Sequence, residues 1–458
     1  MNRTWPGHLT LTLRAGEAPS TVPCHVDRLA GASRPAGRLD GGPVDRTLGR
    51  WGGGARITAV YHARRSLGRL GEQHAGYDDL EEGLGMSRTY AVELAEPEGT
   101  ADVLAALRDL PMVETAAVQL LAAAPMAVAL AAPPDETIDL AAAREPHERI
   151  HAAQALALEP GDERVTTAVV DTGFTLGHPE LQRKCLAGYD TVNLGMGRLN
   201  GDVKLLGDSR GHDYNPKDEV GHGSGVAGIL GAQGWFLPKG VAGLSLLLPV
   251  RALAAAVGPT NPKRVGVGAL ADISAGLKVA VDLGAQVINM SFGTPENSTD
   301  PAAPKPHARV VRYATELGCV LIAAAGNSGK KERFYPAALP EVIAVGSCGA
   351  AGRRSGFSTW GDHVALCAPG ERIITAALKG YQRSSGTSFA APFVAGVAAL
   401  LVSRARRAGR RLDGAAVRRL LTASAAPLGD GFSPETGHGL LDALAALRRL
   451  DAELGRPA

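Results

Sequence analysis

The pattern of apolar and polar positions changes along the chain and divides it into regions. From Val165 onward, short continuous apolar runs recur at Val165–Val170, Leu244–Val250, Val287–Met290, Cys319–Ala324 and Val342–Val345. Runs this short, rich in β-branched residues, are expected of strands buried on both faces. Between them the apolar spacing becomes helical near 223–232, 269–283 and 307–317, and two more helices are expected over about 387–406 and 413–424. Strands alternating with helices predict an α/β fold, a mostly parallel sheet with helices on both faces.

The first part of the chain has a different pattern. Residues 1–54 are rich in Gly, Arg and Pro, show no sustained period, and are expected to be irregular up to Gly52-Gly53-Gly54. Arg56–Tyr61 and Thr89–Leu94 then read as strands. Thr100 can cap a helix that carries Val103, Leu104, Leu107 and Leu110 on one face, and Val113–Leu121 reads as a third strand. Residues 55–121 are therefore expected to form a small α+β domain. Residues 122–148, rich in Ala and then Pro, read as a linker, which leaves a main domain over 149–446 and a C-terminal tail over 447–458.

Composition removes several function classes. Hydrophobic residues make up 45% and charged residues 21% of the 458 residues, which is ordinary for a globular chain. A formal net charge of +2 gives no electrostatic case for nucleic acid. The basic cluster Arg404, Arg406, Arg407, Arg410 and Arg411 falls at the end of a predicted helix, where cations complement the dipole. Cys24, Cys185, Cys319, Cys348 and Cys367 are odd in number and lack C-x-x-C spacing, so neither a zinc site nor a disulfide framework is indicated. The longest apolar stretch, Ala116–Pro134, is mostly alanine and is broken by Gln119, Pro125 and Pro133, too weakly hydrophobic for a membrane span. The first residues lack signal-peptide architecture, so the cytoplasm is the default expectation, with secretion by a non-standard route the alternative.

Three segments place a polar residue where an apolar pattern ends. Val169-Val170-Asp171-Thr172-Gly173 puts a carboxylate at the carboxyl end of a buried strand, where sites in such sheets gather. Gly221-His222-Gly223-Ser224-Gly225 sets one imidazole among small residues at a helix start. Ser385-Gly386-Thr387-Ser388-Phe389-Ala390-Ala391-Pro392 opens a long apolar helix with a serine, beside unpaired N–H groups. Each alone has an ordinary reading as a cap or turn residue. Together Asp171, His222 and Ser388 supply an orienting carboxylate, a general base and a nucleophile.

These segments, with Ala323-Ala324-Ala325-Gly326-Asn327-Ser328-Gly329, resemble the signature blocks of the subtilisin-like serine proteases, the subtilases. The order Asp, His, Ser is also that of subtilisin. The resemblance covers most of residues 149–446 and implies a subtilisin-like fold and a serine endopeptidase acting on protein or peptide substrates. It implies that Asn327 is the side-chain oxyanion donor, joined by the Ser388 amide. It further implies that Val287-Ile288-Asn289-Met290-Ser291-Phe292-Gly293 pairs with extended substrate, and that Gly266-Val267-Gly268 forms the opposite wall. The primary pocket is then walled by Ser291, Phe292 and Gly293 and by Ala324, Ala325 and Gly326, with no acidic residue, which points to apolar substrate residues. No metal or organic cofactor is required by such chemistry.

The N-terminal domain resembles, more distantly, the propeptide of these proteases at Tyr90–Leu94 and Val113-Glu114, which implies an intramolecular chaperone and inhibitor, cut off near 122–135 or retained. The sequence departs from the family pattern at Ser224 and Gly225, where Thr and His are usual. The stretch between Asp171 and His222 is also longer than usual. Its excess, Gly188–Val220, is expected as a surface loop whose Asp213, Asp218 and Glu219 make a structural calcium site conceivable, although solvated carboxylates are the commoner case. Three alternatives remain. An esterase would carry G-x-S-x-G, but Ala390 stands at the last position. A peptide ligase or macrocyclase would use the same acyl-enzyme. An inactive binding scaffold would be expected to lack a triad member.

Overall fold

Strand Thr166–Asp171, buried along all but its first residue, lies near the middle of a seven-stranded parallel sheet. The structure is a computed structural model that describes residues 4–17, 22–29, 31, 34–66, 76–124, 139–195, 198–199, 203–258 and 263–456. The strand order is Val364–Pro369, Ile343–Cys348, Val320–Ala324, Val287–Met290, Thr166–Asp171, Leu246–Arg251, Tyr189–Asp190, and every neighbouring pair runs parallel. The five apolar runs of the sequence are all strands of this sheet. Each lies within a few residues of its expected ends.

Successive residues of a strand point to opposite faces, and both faces here are apolar. Val169 packs into the core under helices His222–Gly231 and Thr387–Arg407, while Ala168 and Val170 pack under Leu270–Asp282 and Ala308–Glu316. Ile322 and Leu321 divide in the same way. This two-sided burial explains why the runs are continuous instead of alternating, and it gives the α/β architecture.

The described part of residues 1–54 is not irregular throughout. Thr4–Leu13 is a ten-residue strand paired antiparallel with both Thr89–Leu94 and Val113–Ala123, and Ala55–Ala59 adds the outer edge. Leu9, Leu11 and Leu13 pack under helices Pro43–Gly52 and Thr100–Arg108. The leucines alternate with Thr10 and Thr12, a period-2 strand signature. Its opposite face is threonine, so it lacks the continuous apolar run that marks a strand buried on both sides. The N-terminal unit therefore begins near Thr4 and not at residue 55.

Two other boundaries move. Of the expected linker, Ala122 and Ala123 belong to a strand, Leu140–Arg149 is a helix capped by Asp139, and 125–138 lie outside the described residues. The expected tail is largely the end of helix Ala443–Glu453, which buries Leu447, Leu450 and Asp451. Arg404 hydrogen-bonds Asp451, and Arg407 hydrogen-bonds Glu159. The basic cluster thus serves in part to fasten the last helix and the chain before Gly161.

The two units are joined by a continuous sheet and by a buried polar network. Past Leu120 the strand Val113–Ala123 leaves Thr4–Leu13 and pairs antiparallel with Val265–Ala269, which continues to Ala254–Val257 and Val203–Leu206. The expected surface loop 188–220 therefore contributes strands to both sheets. At the interface Lys278 lies 2.6 Å from both Glu81 and Asp282, and His62 Nε2 lies 2.7 Å from Asp282. His25 bridges His62 Nδ1 and the Tyr189 hydroxyl. Glu81, His25 and His62 come from the N-terminal unit; Lys278, Asp282 and Tyr189 come from the main one.

Candidate active site

Asp171 ends its strand fully buried, and His222 opens helix His222–Gly231 opposite it. The imidazole Nδ1 is 2.7 Å from Asp171 Oδ1, which also accepts the Thr172 amide. That contact fixes the proton on Nδ1 and leaves Nε2, a buried atom with no partner, as the basic lone pair. Burial disfavours the imidazolium, but the Asp171 charge and hydrogen bond, with Asp218 adding to them, outweigh it. The His222 pKa lies above the usual histidine value.

The small residues around His222 are required by how closely the chain approaches itself. A Cβ at Gly223 would stand 2.3 Å from Gly173 O, so the helix start can lie against the loop after Asp171 only as glycine. Gly221 has φ +93°, which glycine adopts without strain. Asp218 organises the rest. Buried, it accepts from the Val220, Gly221 and Ser224 amides and from the hydroxyls of Ser224 and Thr172. Burial raises the Asp218 pKa, and these donors work in the opposite direction. Ser224 therefore retains a hydroxyl function at that position, and it also meets Thr175.

Gly225 is likewise accounted for by its surroundings. A Cβ there would meet Gln382 Nε2 at 2.6 Å and Phe389 at 3.0 Å. Gln382, from hairpin strand Tyr381–Ser384, fills that space and donates to Gly221 O and Ala376 O.

Ser388 is the second residue of helix Thr387–Arg407 and is buried. Its Oγ donates to Ser291 O at 3.3 Å, and Ser291 Oγ donates to Ser388 O at 2.9 Å. No direct Ser388–His222 hydrogen bond is formed; Phe389 packs edge-on to the imidazole. Asn327 follows strand Val320–Ala324 through Gly326, whose φ of +111° turns the chain. Its Oδ1 accepts from both the amide and hydroxyl of Thr387, so the side-chain rotamer is held and Nδ2 is left buried and unpartnered. A lone donor held by its own carbonyl is suited to receive a developing negative charge.

The expected pocket walls also converge here. Gly326 N donates to Thr387 Oγ1, tying the Ala324-Ala325-Gly326 wall to the serine helix. Ser291 ties the other wall, as above. Phe292 itself is buried against His307 and turns away from the cleft, while Gly293 remains at its edge. Between Gly293 and Val265–Ala269 lies the end of Val113–Ala123: Gly293 N donates to Ala123 O at 3.3 Å and Ala124 N donates to Gly266 O at 3.0 Å.

The three carboxylates considered for calcium do not converge. Asp218 is committed to the His222 loop, Glu219 meets Arg251 and the Asp208 amide, and the backbone of Asp213 pairs with that of Asp190. Thr387, Asp218 and Gln382 are the positioning residues that sequence reading missed. Only Asp218 carried a signal, its place just before a glycine-flanked histidine.

The sequence profile of the Subtilase family matches residues 162–439. The chain is 38% identical over 243 residues to the thermophilic serine proteinase of Bacillus sp. (strain AK1), covering 52% of this chain and 52% of that protein, so it spans about half of that relative's length. It is 35% identical over 266 residues to thermitase of Thermoactinomyces vulgaris, covering 57% of this chain and 82% of thermitase. Among solved structures, the prenylagaramide maturation protease PagA aligns at a TM-score of 0.52 and 29% identity over 67% of this chain and 99% of PagA. The protease domain of PatA aligns at 0.52 and 31% over 64% of this chain and 97% of that one.

Proposed function

The chain belongs to the subtilase family, and from that premise we propose that it is a serine endopeptidase in which Asp171, His222 and Ser388 act as the triad and Asn327 as oxyanion donor. The observation that carries this reading is the Asp171–His222 hydrogen bond of 2.7 Å, which leaves Nε2 unpartnered on an imidazole packed against Phe389, the residue after Ser388. As Ser388 Oγ attacks the scissile carbonyl, its proton passes to His222 Nε2, and Asp171 stabilises the imidazolium. The oxyanion is held by Asn327 Nδ2 and the Ser388 amide. Collapse breaks the C–N bond and returns the proton to the leaving amine. Water, deprotonated by the same imidazole, then releases the acyl group. No step calls on a metal or an organic cofactor.

The N-terminal unit fits an intramolecular inhibitor and folding partner, because its last strand lies in the cleft between Gly266 and Gly293 as an added strand. Both proposals are tested by expressing wild type and Ser388→Ala. We expect loss of peptide hydrolysis in the variant, to a residual of about 10³–10⁴ over water. Two fragments in wild type alone support self-cleavage, and an intact chain in both argues for a retained unit. Hydrolysis by Ser388→Ala at the wild-type rate overturns the triad. The alternative fate of the same acyl-enzyme is discharge by a peptide amine. Mass spectrometry distinguishes ligated from hydrolysed product.

A further inference from the structure

Phe334 lies between the two walls of the primary substrate pocket. The two pocket walls end in glycines, Gly293 and Gly326, and both glycines face the same side chain. A Cβ on Gly293 would stand 3.2 Å from Phe334 Cδ1, and a Cβ on Gly326 would stand 2.8 Å from Phe334 Cδ2 and 3.0 Å from Cε2. One ring edge therefore meets one wall and the opposite edge meets the other. The ring spans the gap between them and is only 8% exposed.

The backbone that carries Phe334 is fastened to one of the walls. Strand Phe334–Tyr335 pairs with Thr294–Pro295, which follows directly from the Gly293 wall. Its carbonyl accepts the Ala338 amide, and the neighbouring Tyr335 hydroxyl donates to Glu296. The backbone on both sides of the ring is thus fixed to the pocket wall itself.

We propose that Phe334 floors the primary pocket and restricts the residue that supplies the scissile carbonyl to glycine, alanine or another side chain of similar size. The proposal rests on Ser388 as nucleophile and narrows the apolar preference read from the walls. A second aromatic or leucyl side chain would have to occupy the volume of the ring, and close-packed interiors do not yield a whole side chain's volume without moving backbone. The segment of the chain that already lies in the cleft, Ala122-Ala123-Ala124, is consistent with this scale, carrying only methyl side chains.

The test uses the full chain and four peptides that differ only in that residue: Gly, Ala, Leu and Phe. Wild type is expected to favour Ala over Phe by about 100-fold or more in kcat/KM, the range open to size exclusion in a pocket. Phe334→Gly, with Phe334→Ala as the second variant, is expected to raise kcat/KM on the Phe peptide at least about tenfold and to narrow the Ala-to-Phe ratio. Equal wild-type rates on the Ala and Phe peptides overturn the proposal, as does an unchanged ratio in a folded variant. Labelling of Ser388 by a fluorophosphonate separates the two readings. Ser388 labelled but with no size preference defeats only the role of Phe334. Absence of both labelling and hydrolysis defeats the peptidase reading, and this proposal with it.

Discussion

At His222 two opposed influences set the charge. Burial disfavours the imidazolium, and Asp171, aided by Asp218, favours it more strongly, so the pKa stands above 6.5. A general base must be neutral. Activity is therefore low while the imidazole is protonated and rises as pH increases through its raised pKa. The acid limb of kcat/KM is expected above pH 6.5, the unperturbed value. Asp171→Asn removes the main group that raises it and leaves burial. Its limb is expected to shift to lower pH, with kcat down by about 10⁴-fold because the tautomer is no longer fixed. A pH–rate profile of both proteins checks this; an unmoved limb would mean that Asp171 does not set the base.

The helix start at His222 illustrates how an element depends on partners distant in sequence. In an exposed helix, Gly→Ala is stabilising by about 1 kcal/mol. At Gly225 the added methyl would displace the Gln382 amide, which stands 2.6 Å away and holds the Gly221 and Ala376 carbonyls. Gly225→Ala is expected to lower kcat and give no gain in stability. In the Gln382→Ala background the same change is expected to cost less, since the displaced amide is already gone and only the contact with Phe389 at 3.0 Å and with Thr375 at 3.2 Å remains. A double-mutant cycle in kcat and in urea stability measures that coupling. Additive effects would show that Gln382 does not position this helix.

Across the whole molecule, one group of ion pairs at the interface is buried completely, unlike the part-exposed Arg108–Asp300 and Arg309–Glu114 pairs. Lys278 stands between Glu81 of the N-terminal unit and Asp282 of its own helix, all three with side chains at 0% exposure. Removing one partner of a buried charge group leaves the others uncompensated. Lys278→Met is expected to cost about 3–5 kcal/mol and to weaken the seat of the N-terminal unit. Limited proteolysis should then cut that unit sooner than in wild type. Unchanged stability and cleavage would show that Lys278 does not help hold the two units together.

The sequence by itself determined the elements whose signals are local. Buried strands between two helical layers are continuous apolar runs, and five of them read correctly. Asp171, His222, Asn327 and Ser388 each sit in a glycine-rich or strand-end segment that is visible within a few residues. The strand Thr4–Leu13 stayed hidden because its alternation covers only Leu9–Leu13 and follows Pro6 and Gly7, which read as breakers of a strand pattern. Thr387, Gln382, Lys278 and Phe334 stayed hidden for a different reason. Thr387 matters because of Asn327, 60 residues away, and Gln382 because of Gly221, 161 residues away. Such roles are carried by contacts between segments, and a contact across the sheet leaves no periodicity or spacing in either segment. Only the tertiary structure could decide which side chain fills the space beside a glycine. That choice fixes the shape of the pocket, whereas the sequence motifs fix only its chemistry.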